Sequence, residues 1–316
     1  MSFTLFNIYN YGSSNIQQQG LRELNLYAEH IDAEFNSLSR VAQNTANFLS
    51  VAENISEEDI YELLSYNVQQ SSLIYGSAIA FEPFSFDENL RLFAPYVYGE
   101  GDNLNSVDIG ADSYDYSNGN WEWFSAARET QTAFWTEPFF DAGAGDVLMV
   151  TYSAPFYSGS QFRGVATIDV SLESLQKEAI VDLDNQFFAI LGKSGKFISH
   201  YNPDLIMNSS IQEQSALLNN ADYREIVKNI MAGKNGIGVV NDLFMNGEII
   251  NGQSWIFYAP IPSTNWSLST TTPEEAITSE LRSLIGLGAL GVAVMIFITF
   301  IFVLIISARI TRPIKT

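Results

Sequence analysis

The side chains best suited to ligand chemistry form a dense group of aromatic and acidic residues in the middle of the chain. The acidic residues Glu137, Asp141 and Asp169 fall within this group or shortly after it. Paired carboxylates are the machinery of a glycoside-type hydrolase, so an extracytoplasmic enzyme is one interpretation, although no nucleophile motif or metal cluster accompanies them. Aromatic residues of a sheet are more often core, and that alternative stays open for every ring. The aromatic members are Tyr114, Tyr116, Trp121, Trp123, Phe124, Phe134, Trp135, Phe139 and Phe140.

Composition excludes several kinds of chemistry. The 316-residue chain has no cysteine, which excludes disulfides, thiolate catalysis and cysteine-ligated metals. Its two histidines, His30 and His200, are too few for a histidine zinc site or a Ser-His-Asp triad, so we expect neither a metal nor a cofactor. With 36 acidic against 15 basic residues the formal net charge is -21. Such a chain repels phosphate backbones, and nucleic acid is not an expected partner.

The run from Leu284 to Ser307 is predicted to be a membrane-spanning helix. It contains no charged residue, and about 20 apolar residues are enough to cross the hydrocarbon core. Arg309, Arg312 and Lys315 follow the run, whereas glutamates predominate in the segment before it. The positive-inside rule therefore predicts a cytoplasmic C-terminus and places the residues before about 283 outside the cytoplasm.

An outside domain needs an export signal or a preceding membrane helix. The first 16 residues contain no basic start and are too short in apolar length to be either. We therefore expect that a first membrane helix precedes this sequence, and we treat residues 1–19 as a residual N-terminal segment.

A long helix is predicted over residues 14–52. Apolar side chains recur there at alternating four- and three-residue steps, which is the a/d pattern of a coiled-coil seam. Such a stripe packs either on its own domain or on a second copy of the helix, and both alternatives stay open. Ser56, followed by three acidic residues, predicts the start of a second helix. The stripe consists of Leu24, Ala28, Ile31, Phe35, Leu38, Ala42, Thr45 and Leu49.

Two groups of strands follow, each typical of an antiparallel sheet. Residues 99–120 are predicted to be a solvated acidic loop, since the EF-hand spacing for calcium is absent. A helix is predicted over 222–231, Asn246-Gly247 is predicted to be a hairpin turn, and Pro273 is predicted to start the helix that enters the membrane. The first group of strands is predicted at 77–81, 92–98, 147–154 and 164–170; the second at 187–191, 197–199, 238–243, 249–250, 255–258 and 266–270.

Several stretches of the sequence resemble a known family. WFSAARETQTAFWTEPFFDAGAGDVLMVTYSAPFY and GVATIDVSLESL resemble the membrane-distal half of a double Cache domain. FFAILGKSGKFISHYNP and WIFYAPIPSTNWSLSTTTPEE resemble its membrane-proximal half, and ARITRPI resembles the opening of a HAMP relay. The resemblance implies an α+β fold in which a long N-terminal helix lies beside two stacked PAS-like antiparallel-sheet modules. The implied ranges are a double Cache sensor at 20–275, with a distal module at about 70–178 and a proximal module at about 180–272, a membrane helix at 284–307 and the start of HAMP at 308–316.

The resemblance also implies a ligand site in the distal module. Amino-acid-binding members use an aromatic residue, an arginine five residues on, a Trp-Tyr pair, Tyr-x-Asp and a final Asp. Trp121 stands at the arginine position, so the bidentate grip on a carboxylate is lost. The remaining carboxylates and rings suit a cation, which each aromatic face stabilises by roughly 0.5–2 kcal/mol. The matched positions are Tyr116, Trp121, Trp123, Phe124, Phe139, Asp141 and Asp169.

Structural roles compete with this interpretation. Asp141 is also suited to capping a turn before Gly143, and Asp169 to capping a helix that begins at Ser171. Arg128 and Arg163 would restore acid binding if either reached the pocket.

The sequence therefore predicts an extracytoplasmic small-molecule sensor of a transmembrane receptor in the plasma membrane, with a cationic amine or quaternary ammonium as ligand. The sensor portion is not expected to be an enzyme, whereas an output domain outside this sequence could be a phosphatase, kinase or cyclase, or could feed chemotaxis. A homodimer through the N-terminal and membrane helices is expected. The alternatives are a constitutive dimerisation module with a vestigial pocket, or a sensor of a carboxylate or amino acid.

Overall fold

The computed structural model describes residues 3–52, 54–101, 103–110, 114–142, 146–180, 187–218, 220–245 and 248–311. The chain divides into two compact units. One unit comprises residues 21–238 and 256–271 and contains the candidate site; the other comprises residues 1–20, 239–255 and 272–316.

The N-terminal helix α1, Phe3–Val51, buries the predicted apolar stripe within its own domain. All eight stripe residues from Leu24 to Leu49 are buried, and Phe35 and Ala42 are fully so. Between residues 24 and 49 the stripe is therefore an intramolecular core face and is not free to be a dimer seam. Helix α2, Glu57–Val68, begins with a capping box in which Ser56 and Asp59 bond to each other's backbone N–H.

The first sheet contains seven strands in the order β3-β2-β1-β7-β6-β4, and β5 also pairs with β6. Every pairing is antiparallel, as predicted. Two helices accompany the strands of this sheet in the sequence: α3, Glu122–Thr130, precedes β4, and α4, Leu172–Ile180, follows β7. The strands are β1 Ile74–Phe81, β2 Pro95–Glu100, β3 Asn103–Asp108, β4 Phe134–Trp135, β5 Phe139–Phe140, β6 Leu148–Ser158 and β7 Gln161–Ser171.

The prediction of a continuous loop over 99–120 is wrong, because part of this stretch is the edge strand β3. Its side chains are mostly exposed, so the strand lacks the apolar alternation that would reveal it. The aromatic segment is not all sheet either, since Trp123 and Phe124 lie on α3. The acid Asp108 accepts hydrogen bonds from the backbone N–H groups of Ala94 and Gly110, which is a structural role.

The second sheet has the strand order β10-β11-β12-β8-β9. The predicted helix over 222–231 is confirmed as α6, Ala221–Met231, whereas α5, Ile211–Leu218, is an additional helix. Two short strands predicted near 249 and 255 form one long strand, and the predicted Asn246-Gly247 turn lies outside the described residues. The strands are β8 Phe187–Leu191, β9 Phe197–His200, β10 Gly236–Met245, β11 Glu248–Ile261 and β12 Trp266–Pro273.

The last helix, α7, runs from Glu274 to Thr311, so Pro273 closes β12 and does not open the helix. Within α7 the segment Gly286–Ser307 has a mean hydropathy of 3.1 and none of it is buried. It is the one candidate membrane span found in the described part of the chain. Of the predicted HAMP residues 308–316, residues 308–311 belong to α7, and residues 312–316 lie outside the described residues.

Candidate functional site

A cavity of about 260 Å³, including its mouth, lies against the first sheet. Strands β1, β2, β6 and β7 contribute six of the eleven lining residues, and α3, β5 and the segments that contain Ile109, Tyr114 and Asp141 contribute the others. Ten of the eleven lining residues are buried. The lining residues are Ala78, Tyr96, Ile109, Tyr114, Trp123, Phe139, Asp141, Met149, Thr151, Thr167 and Asp169.

Phe139 marks the mouth of the cavity, because it is the one lining residue that is partly exposed. The partly exposed Trp121 meets the Phe139 ring edge-on, with ring centroids 6.5 Å apart. Trp121 also stacks on the lining residue Tyr114 at 4.4 Å. Most of the cavity volume is open solvent or too narrow for a water molecule, and the cavity itself has room for about one water, so a bound ligand requires its wall to open.

Asp169 is the central acidic group of the cavity. It lies on β7 and is 4% exposed, and its Oδ1 accepts a hydrogen bond of 2.7 Å from the hydroxyl of Thr151 on β6. Burial, together with the charge of Asp141, raises the pKa of Asp169 to about 7, although the Thr151 hydrogen bond opposes the increase. The carboxyl therefore exchanges its proton near neutral pH.

The Tyr96 hydroxyl lies beside Asp169. Its proximity helps to lower the Asp169 pKa, yet the hydroxyl is buried without a hydrogen bond of good geometry among the described residues. Burial also raises the pKa of Tyr96 itself, so this hydroxyl keeps its proton. Gly76 makes room for the ring, because a Cβ at that position would lie 2.3 Å from the Tyr96 oxygen.

Asp141 provides the second carboxylate. It is 5% exposed, and its Oδ1 accepts a short hydrogen bond of 2.5 Å from the Tyr114 hydroxyl. Burial and the Asp141 charge raise the pKa of Tyr114 well above its usual range, so the tyrosine stays a donor. Trp121 stacks on the face of the Tyr114 ring and contacts Phe139, so these three aromatic residues form a group next to the Asp141 carboxylate.

The structure brings Trp123, Phe139, Asp141 and Asp169 together in the cavity wall, with Trp121 behind Tyr114. It does not bring Tyr116 or Phe124 there. Tyr116 is fully buried, and its hydroxyl donates to the Phe81 carbonyl at 2.7 Å. Consecutive residues of a helix point about 100° apart, so Trp123 faces the cavity while Phe124 packs on Tyr116 and Phe162.

The competing roles are resolved in part. Ser171, not Asp169, caps α4, since its hydroxyl accepts from the Ser174 N–H at 3.1 Å. Arg128 forms an ion pair with Glu82 at 2.8 Å, and Arg163 bonds to Ser85.

Neither arginine lines the cavity, and none of the lining residues is Arg, Lys or His. No group of three or more His, Cys, Asp or Glu residues in the described ranges is suited to hold a metal ion. The cavity therefore offers carboxylates, hydroxyls and rings, but no side-chain cation.

Sequence reasoning missed several lining residues, of which Tyr96, Tyr114 and Thr151 matter most. Tyr96 and Thr151 lie in predicted strands, and Tyr114 lies in the aromatic segment, but nothing local distinguishes them from core residues. Their position follows from the order of β2, β1, β7 and β6 in the sheet, which joins segments far apart in sequence.

Comparison with known proteins agrees with this architecture. Residues 60–177 match the model of the methyl-accepting chemotaxis protein-like first PDC sensor domain. A stretch of 106 residues is 30% identical to the methyl-accepting chemotaxis protein PscA of Pseudomonas syringae pv. tomato (strain ATCC BAA-871 / DC3000). That match covers 33% of this chain and 17% of PscA, so the chain spans a small part of its relative.

Solved structures share the fold over most of the chain. The extracellular domain of the predicted histidine kinase soHK1S-Z6 has a TM-score of 0.70 and 26% identity, covering 86% of this chain and 99% of that domain. The ligand-binding domain of the Pseudomonas aeruginosa PAO1 amino acid chemoreceptor PctB, in complex with L-Arg, has a TM-score of 0.58 and 17% identity. It covers 85% of this chain and 92% of the PctB domain.

The fold is thus that of the extracellular sensor domains of histidine kinases and chemoreceptors. Within it, residues 60–177 are similar to the PDC, or Cache-like, sensor domains of methyl-accepting chemotaxis receptors. The candidate cavity lies against the sheet of this domain.

Proposed function

We propose that this chain senses a small cationic amine or quaternary ammonium outside the cytoplasm and that the cavity around Asp169 binds it. The observation that carries the proposal is the pair of buried carboxylates, Asp141 and Asp169, in a cavity with no cationic side chain in its wall. Ionising the buried Asp169 carboxylate is costly, because burial penalises its charged form, and a cationic ligand supplies a compensating charge.

The pKa of Asp169 supports the same chemistry. At neutral pH the carboxyl holds a proton for about half of the time, since its pKa is about 7. A bound ammonium takes the place of that proton and stabilises the ionised form. The rings of Tyr114, Trp123 and Phe139 add cation–π contacts, each contributing about 0.5–2 kcal/mol.

The polar groups favour a ligand that carries N–H donors. Asp169 and Asp141 present acceptor oxygens, and the Tyr96 hydroxyl lacks a well-placed partner among the described residues. A primary ammonium can donate to these oxygens, whereas a quaternary ammonium interacts with them through charge and ring contacts alone. We therefore expect an amine to bind more tightly than its fully methylated counterpart.

An amino acid is the second candidate, because PctB, which shares the fold, was captured with L-Arg. In this chain an α-carboxylate would meet two acidic side chains and no cationic side chain in the cavity wall. That repulsion argues against an amino acid unless its carboxylate stays outside the mouth at Phe139.

We further propose that Gly286–Ser307 spans the plasma membrane, with the sensor outside and the C-terminus in the cytoplasm. The receptor is proposed to be a homodimer through its N-terminal and membrane helices, away from the buried stripe of residues 24–49. The output domain is proposed to be a phosphatase, a kinase or a cyclase, or to feed chemotaxis. A purely structural dimer module is the alternative to a sensor.

The test is a thermal-shift screen of the full chain in lipid nanodiscs at pH 8, against ethanolamine, choline, glycine and succinate. A ligand at 100 times its dissociation constant stabilises by about 2.7 kcal/mol, a shift of several degrees. Asp169→Asn should abolish the shift, whereas Glu173→Gln, which alters an exposed carboxylate on α4, should retain it.

The outcomes separate the alternatives. A shift with the amines alone supports the proposal. A shift with glycine or succinate alone contradicts it and favours a sensor of carboxylates. The absence of a shift across a wider set of amines would favour the dimer module.

A further inference from the structure

The loop between β4 and β5 carries a carboxylate that binds a turn of the second sheet. Glu137 Oε1 accepts a hydrogen bond from the Lys193 N–H at 2.8 Å. Its Oε2 accepts from the Ser194 N–H at 3.2 Å and from the Ser194 hydroxyl at 2.5 Å. One side chain of the loop between β4 and β5 therefore accepts hydrogen bonds from three donors of the turn between β8 and β9. Hydrogen bonds to an ionised acceptor are stronger than neutral ones.

Gly192 allows this approach. A Cβ at position 192 would lie 2.9 Å from Glu137 Oε2, so any larger residue would displace the carboxylate. The turn is also shaped by Gly195, whose φ of 84° lies in the left-handed region. The turn sequence is thus matched to Glu137 by shape as well as by its donors.

The same segment, residues 134–141, forms part of the cavity. Phe139 at the mouth and Asp141 in the wall follow Glu137 closely in the chain. Strands β4 and β5 contain two residues each and both pair with β6, and Thr136 between them exchanges two hydrogen bonds with Thr151 of that strand. The segment is therefore attached to β6 on one side, while Glu137 attaches it to the turn between β8 and β9.

A second contact runs from this segment toward the second sheet. The Trp135 ring packs edge-on against Phe35 of α1, with centroids 4.8 Å apart. Phe35 also packs edge-on against Trp266, the first residue of β12, at 5.0 Å. Strand β12 ends at Pro273, where α7 follows in the chain. The 134–141 segment therefore contacts the cavity, α1 and the turn of the second sheet.

We propose that Glu137 is a positioning residue that couples the cavity to the second sheet, so that the 134–141 segment and the 193–194 turn move together when the cavity changes. The inference rests on the contacts of Glu137 and on the place of its segment in the cavity wall, and it requires no particular ligand. Coupling requires that the cavity and the turn each favour one of two positions of a shared element, and the segment supplies that element.

The experiment is hydrogen–deuterium exchange of the full chain in lipid nanodiscs at pH 8, followed in peptides that contain the Lys193 and Ser194 amides. Asp169→Asn serves as the perturbation of the cavity, because it removes the buried charge beside Asp141 without a ligand. We expect it to change the exchange of these amides at least threefold. In the Glu137→Ala background the same substitution should change it by less than 1.5-fold.

Asp59→Ala is the matched control background. Asp59 is an exposed carboxylate that accepts from the backbone N–H and hydroxyl of Ser56, much as Glu137 does with Ser194. The effect of Asp169→Asn should persist there. Glu137→Gln, which keeps an acceptor oxygen, should retain part of the effect, and Gly192→Ala should reduce it from the other side of the contact.

An unchanged exchange rate after Asp169→Asn in the otherwise natural chain would overturn the coupling. So would an equal change with and without Glu137. If Glu137→Ala does not fold, the comparison rests on Glu137→Gln and Gly192→Ala. Failure of amine binding leaves this result unaffected, so the two proposals are tested separately.

Discussion

Replacing Asp169 by asparagine is expected to stabilise the folded chain at pH 8 and to have little effect at pH 4. Burial raises the pKa of this carboxyl from its ordinary 3.8 to about 7. A raised folded-state pKa favours folding fully below about pH 4, and this contribution is lost as the pH rises to about 7. Asparagine resembles the protonated carboxyl and can still accept from Thr151.

The magnitude follows from the difference of about 3 pKa units. At 1.36 kcal/mol per unit, ionisation of Asp169 costs the folded chain about 4 kcal/mol at pH 8. For a domain of this size the variant should then melt roughly 10 °C higher than the natural chain at pH 8. The two should melt at similar temperatures at pH 4.

Tryptophan fluorescence during thermal unfolding of the full chain, measured at each pH from 4 to 8, provides the assay. Glu129→Gln is the control, because it removes an exposed carboxylate from α3. It should follow the natural chain at every pH. If the melting temperatures of Asp169→Asn and of the natural chain changed with pH in the same way between pH 4 and 8, the reasoning would be refuted.

Three further predictions concern the cavity and the core. The affinity for ethanolamine should rise about tenfold per pH unit from pH 5 to 7 and level off above pH 7, because the ligand binds to ionised Asp169. Calorimetric titration at each pH measures this affinity, and an affinity that does not change with pH would contradict the prediction. Tyr96→Phe should weaken ethanolamine binding about three- to tenfold, because one hydrogen bond of about 0.5–1.5 kcal/mol is lost, and should leave the affinity for tetramethylammonium unchanged. Equal losses of affinity for both ligands would indicate a packing effect instead. Phe35→Ala should destabilise the chain by about 3–5 kcal/mol, because the fully buried ring packs on both Trp135 and Trp266. A much smaller drop in melting temperature would show that the neighbouring side chains fill the space left by the Phe35 ring.

Features that depend on local sequence could be predicted from the sequence alone. The apolar residues of the α1 stripe repeat with the period of a helix, and the Ser56 cap joins residues that are three positions apart. The membrane segment is one continuous run of apolar residues. Each signal lies within one element, so no knowledge of the partners was needed. The sequence left open what the stripe packs against, because an apolar face does not specify its partner.

The tertiary structure alone decided the composition of the cavity. Asp169 on β7, Thr151 on β6 and Tyr96 on β2 meet because non-local strand pairing places their segments in one sheet. The helical turn of α3 decided that Trp123 faces the cavity and Phe124 the core. Tyr116 looked equally suited to a ligand, yet its hydroxyl is bonded to the backbone of Phe81. A residue type fixes which interactions a side chain can make, whereas its neighbours, most of them distant in the chain, fix which it does make.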